Sequence, residues 1–101
     1  SLVKRHFPLE ERYLLTDQIV RAANSIVLAI AEGADRSTDK DFALYLNRSY
    51  TSLSEVASCL DMALRDKYIS ESIHIEYMGE AEKLANQLTA FRKTLLNKPT
   101  K

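Results

Sequence analysis

The sequence predicts an all-α fold, an up-and-down antiparallel helical bundle. Three observations carry this. The 101 residues include only two glycines and two prolines, apolar side chains recur every three or four positions along three long segments, and the breaks between those segments are short. Equal rods joined by short connections pack antiparallel. A chain of this length supports one hydrophobic core, so residues 1–101 are expected to form a single domain.

The first long segment spans residues 9–34. Pro8 introduces it where a missing N–H costs nothing, Glu10 and Glu11 suit the positive end of the helix dipole, and Gly33 is the expected stop. Leu15, Ile19, Ala22, Ile26 and Ile30 make one apolar stripe; Val20, Ala23 and Val27, joined by Leu28, make a second, displaced around the helix. A helix apolar on two sides needs two partners, its own core and another chain. The expected oligomer interface is therefore Val20, Ala23, Val27 and Leu28, together with Glu32 and Arg36. These last two flank Gly33 and are expected to form a buried or interfacial ion pair that fixes helix ends or subunit register.

The second segment, residues 38–67, opens at "DRSTDKDF", where Ser37 or Thr38 can cap and Asp39 and Asp41 occupy the first turn. Phe42, Leu46, Ser49, Leu53, Val56, Leu60 and Ala63 alternate steps of four and three, as the seam of a bundle does. The third segment, residues 71–97, begins at Ser70 or Ser72 and repeats the pattern through Ile73, Tyr77, Ala81, Leu84, Leu88, Phe91 and Leu95. Residues 98–101 are a tail. That leaves residues 1–7, which supply only the end of a helix. A closed four-helix bundle needs a fourth rod, so either most of a first helix is absent from this chain or a neighbouring chain covers the groove.

Function is less legible than architecture. Lys plus Arg and Asp plus Glu both number 14, so no global field draws the chain to nucleic acid or to a membrane. No apolar run of membrane-spanning length and no signal-peptide pattern is read, which makes a cytoplasmic location the expectation and a membrane partner unexpected. Cys59 stands alone and reads as a small apolar core residue. Glu71 and His74 have the spacing of a metal-binding helix, but a di-iron bundle needs two such motifs and two more inward carboxylates, so neither a metal nor any other cofactor is expected. Catalytic serine–histidine spacing, a glycine-rich phosphate loop and paired apolar carboxylates are all missing from the pattern. The expectation is thus a protein that is not an enzyme; a small hydrolase or metal-dependent enzyme is the alternative, and it would need a pocket with convergent titratable groups. Basic residues collect in the tail, as Arg92, Lys93, Lys98 and Lys101, and at Lys4 and Arg5. A ring would multiply that charge, so these six are the candidate nucleic-acid contacts.

The strings "FPLEERYLLTDQIVRAANSI", "IAEG" and "FALYLNRSYTSLSEV" resemble the four-helix-bundle proteins encoded within intervening sequences of bacterial 23S rRNA genes, a family that also resembles the accessory variability protein of diversity-generating retroelements. The resemblance implies a left-handed four-helix bundle with most of its first helix missing here, assembled as a ring, commonly a homopentamer, with no established enzymatic activity. It also implies an oligomeric scaffold or adaptor whose partner is nucleic acid or a nucleic-acid enzyme. Departures from the family pattern include Val27 for proline, Ala29 for asparagine, Ala57 for glutamate and, before Tyr68, Lys67 for glycine.

Overall fold

The computed structural model describes the backbone of residues 2–36 and 38–97, with side chains from Tyr13 onward in those ranges. It is all-helical among the described residues: α1 is Leu2–Ala34, α2 is Asp39–Arg65 and α3 is Glu71–Leu96. Three helices are present where four elements were expected. The difference lies at Phe7-Pro8, where a helix was expected to end and a second to begin; α1 instead continues unbroken through Pro8. Proline's fixed φ is itself helical, and it removes one hydrogen bond without forcing the chain to reverse.

Local chemistry sets the other boundaries. Thr38 caps α2, its Oγ1 accepting from the Asp41 amide at 3.1 Å, with Asp39 and Asp41 in the first turn. Ser70 caps α3 in the same way through the Ile73 amide at 3.1 Å. The other candidate for the first cap, Ser37, lies outside the described residues. At its C-terminus α2 closes in a Schellman motif: the Tyr68 amide donates to the Ala63 carbonyl and the Lys67 amide to the Leu64 carbonyl. Lys67 occupies the left-handed position of that motif with φ 63°, the only non-glycine residue at positive φ among those described. A glycine would sit there without steric cost. The lysine that departs from the family pattern therefore falls where the backbone most favours glycine.

Gly33 does not stop α1, contrary to expectation; the helix passes through it to Ala34. Its role is steric. A Cβ at this position would lie 2.7 Å from the Tyr45 Cβ and 2.8 Å from the Phe42 ring, so α1 and α2 approach too closely there for any other residue.

α2 is the central helix. It packs on α1 and on α3, while no Cα of α1 lies within 8 Å of one in α3 among the described residues. The main core joins Ile26, Ala43, Leu46, Leu53, Leu88 and Leu95, and a smaller cluster joins Leu15, Cys59 and Ala63. Ser49, fully buried in the seam, donates its hydroxyl to the Ile26 carbonyl at 3.0 Å, which pins α2 to α1. The result is open and long: 67 × 23 × 12 Å, with a radius of gyration of 17.1 Å, against about 13 Å for a compact chain of this size.

Candidate assembly surface

Because α1 meets only α2, most of its circumference is unpartnered. The stretch Tyr13–Ala34 is, by length and composition, apolar enough to cross a membrane, which corrects the expectation that no such run exists. Asp17, Arg21 and Glu32 lie within it, and the core helix of a bundle passes the same test.

The expected interface residues divide into separate strips. Val20, Ala23, Val27 and Ile30 follow steps of three and four and so share one side of α1. Ile30 packs on the core, whereas Val20 and Val27 are 51% and 66% exposed. This strip borders a trough over α2. Phe42 lies at the trough's floor, close to Gly33 on one side and edge-on to Phe91 on the other, with ring centroids 5.1 Å apart. The opposite wall continues from Phe91 along α3 through Leu84, Tyr77 and Ile73, which steps of seven and four place on one face. Tyr77 and Ile73 are exposed as well.

Leu28 and Glu32 lie elsewhere. One residue step turns a helix by about 100°, so Leu28 faces away from Val27. It belongs to a strip formed by Leu14, Gln18, Arg21, Ser25, Leu28 and Glu32, again at steps of four and three. Leu14 and Leu28 stand exposed on it, Leu28 at 60%. Glu32 makes no ion pair with Arg36, contrary to expectation. Arg36 has turned onto Tyr45, whose hydroxyl it hydrogen-bonds, with its guanidinium 4.7 Å from the ring centroid; Arg48 stacks on the same ring at 4.6 Å. Both Glu32 and Arg36 are exposed. The pairing Arg36 adopts joins residues nine apart across the α1–α2 turn, a tertiary contact that helix spacing does not reveal.

Among the described residues the candidate nucleic-acid contacts lie toward opposite ends of the molecule. Arg92 and Lys93 are exposed near the C-terminus of α3, at the end of the molecule where Phe91 meets Phe42. Lys4 and Arg5 are in the first turns of α1, toward the opposite end, and their side chains lie outside the described residues. Lys98 and Lys101 also lie outside them.

His74 does not turn to Glu71. Its Nε2 lies 2.8 Å from Oδ1 of Asp61, tying α3 to α2. No group of three or more potential metal ligands occurs among the described residues. Cys59 is buried beside Gln18, as expected of a small apolar core residue, and burial first and the Glu55 carboxylate second push its thiol above the ordinary 9.0. At neutral pH it is protonated and unreactive.

Two grooves open on α2. One, against α1, has a volume of 560 Å³ and is walled by Gln18, Arg21 and Ser25 of the Leu14–Glu32 strip and by Thr51, Ser54 and Ser58 of α2. The other, against α3, has a volume of 610 Å³ and is mostly apolar, walled by residues that include Tyr50, Leu53, Ile75 and Met78. They meet at Ser54.

Residues 1–90 match the family model of the 23S rRNA-intervening sequence protein. The chain belongs to that family. Comparison with curated proteins and with solved structures finds no match. The 90 matched residues of this 23S rRNA-intervening sequence protein include all of α1 and α2 and most of α3, so both grooves, and the trough apart from Phe91, lie within the family region.

Proposed function

We propose that this protein is a non-enzymatic, cytoplasmic scaffold that works as a homo-oligomer, a ring of five by resemblance, and presents a repeated surface to nucleic acid or to a nucleic-acid enzyme. The observation that carries the proposal is the state of α1. It buries one side against α2 and leaves Val20, Val27 and Leu28 more than half exposed on two other sides. Soluble monomers rarely leave contiguous apolar surface of this kind open. The trough between α1 and α3 is the seat of the fourth helix of the bundle, and the outer strip of α1 is the contact between copies.

The polar partner follows from multiplication. Each chain is neutral overall, yet a ring repeats Arg92 and Lys93 at one end in every subunit, and a repeated cationic edge binds phosphates by releasing counterions. The resemblance of the family to the accessory variability protein of diversity-generating retroelements supports a nucleic-acid enzyme as the other class of partner. No membrane, metal or organic cofactor enters this proposal.

Binding of mixed-sequence RNA and DNA, followed by fluorescence anisotropy at about 50 mM salt and again at about 200 mM, tests the partner. Binding at low salt that falls steeply with added salt, and falls further in an Arg92→Ala, Lys93→Ala variant, is expected. No binding at about 50 mM salt would remove nucleic acid from the proposal.

A further inference from the structure

We propose that the outer strip of α1 in one copy docks, parallel to α3, in the groove between α2 and α3 of the next copy. This rests on the oligomeric function proposed above and names the two surfaces that mate. The groove is longer than its main cavity. A second cavity of 140 Å³, lined by residues including Leu46, Leu88, Thr89 and Arg92, shares Tyr50 with the first and extends the same seam. Its α3 wall runs from Ile75 to Arg92, roughly 26 Å at 1.5 Å per residue, and the strip from Leu14 to Glu32 spans roughly 27 Å.

The two surfaces are complementary in sequence order. On α1 an exposed leucine, Leu14, is followed seven residues later by Arg21, seven later by Leu28 and four later by Glu32. On α3 an apolar residue, Ile75, 70% exposed, is followed seven residues later by Glu82, which lines the main cavity. Seven later comes Thr89 at the smaller cavity, and three later Arg92. One register therefore sets Leu14 on Ile75, Arg21 on Glu82, Leu28 into the smaller cavity and Glu32 on Arg92. Both charge pairs are of opposite sign, with Arg21 sharing its charge between Glu82 and its own Asp17, 3.0 Å away; the reversed direction keeps Arg21 on Glu82 but trades Glu32 on Arg92 for Glu32 beside Glu71.

Two further features fit. Gly79 lies in the α3 wall, and a Cβ there would meet nothing within 4 Å. Nothing inside the chain requires glycine at this mid-helix position, where it weakens the helix; the register brings α1 of the next copy against it. In addition, α1 and α3 run in the same direction within each chain, both antiparallel to α2. Rotation about an axis parallel to the bundle therefore brings α1 of one copy alongside α3 of the next in parallel, the direction in which Glu32 meets Arg92. A contact between two different surfaces is heterologous, and it builds a ring when the rotation between copies closes and an open filament when it does not.

The test places Leu14→Cys and Ile75→Cys in the full chain and reads interchain disulfides after mild oxidation, beside the solution mass of the same sample. A covalent ladder in the double variant, absent from either single variant and from the parent with its buried Cys59, is expected. An independent arm reverses charge: Arg21→Glu alone and Glu82→Arg alone should each weaken association roughly tenfold, and the two together should restore it. An oligomeric mass without the ladder and without restoration overturns this docking while leaving the oligomeric function standing. A monomeric mass at all concentrations overturns both.

Discussion

Replacing Lys67 with glycine should stabilise the fold. Lys67 holds φ at 63° to complete the Schellman motif that ends α2, and the left-handed region costs an L-residue about 1–2 kcal/mol through the clash of Cβ with the following carbonyl. Glycine removes that clash but gives back about 0.5–1 kcal/mol because its unfolded chain is freer. The net expectation for Lys67→Gly is a gain of about 0.5–1 kcal/mol, which for a domain of this size raises Tm by roughly 2–8 °C. Urea and thermal unfolding followed by circular dichroism measure it, with Lys67→Ala as the control, since alanine retains the Cβ and should leave stability close to that of the parent. A glycine variant no more stable than the alanine variant would refute the strain at this turn.

Further substitutions probe the helix contacts. Gly33→Ala should cost about 1–3 kcal/mol in chemical unfolding, because its Cβ would stand 2.7 Å from that of Tyr45 and force α1 off α2. Gly79→Ala should do the reverse, adding about 1 kcal/mol of helix stability while weakening association, so unfolding and sedimentation should move in opposite senses. Ser49→Ala should cost about 1 kcal/mol by removing the hydroxyl bonded to the Ile26 carbonyl, and unfolding of the variant in urea measures this. Cys59 should react with a thiol reagent far more slowly in the native chain than in urea. Its folded pKa is raised, so the fold favours the neutral thiol: that contribution is fully present below 9.0 and is lost as pH rises past it, and stability should fall in alkaline solution.

How much of this was legible in the sequence differs by element. α2 and α3 were readable because their seams repeat at a constant spacing and their caps are short-range signals, Thr38 three residues before Asp41 and Ser70 three before Ile73. Lys67 could be marked because a glycine pattern was interrupted there. Gly33 was misread as a helix end because its actual constraint is the approach of Tyr45 and Phe42 from the next helix, which no local window contains. The expected pairing of Glu32 with Arg36 failed for a related reason: i to i+4 spacing offers a salt bridge, but the Tyr45 ring, brought across the turn, offers the guanidinium both a hydrogen bond and a π face. The second apolar stripe of α1 was visible as composition, yet consecutive residues such as Val27 and Leu28 fall on different sides of a helix. Only the packed position of α2 separates the strip bordering the trough from the strip bordering the groove between α1 and α2. The groove between α2 and α3 had no sequence signature of its own, since its walls come from two segments.

The most direct measurement is the mass of the full chain by sedimentation equilibrium across a wide concentration range. Leaving two strips of α1 uncovered predicts a species several times the 11.5 kDa of one chain, persisting to low concentration and shifting toward one chain when Leu28 is replaced by glutamate. A particle of 11.5 kDa at every concentration, with Val20, Val27 and Leu28 stably exposed to water, would contradict the claim that copies of this helix cover one another.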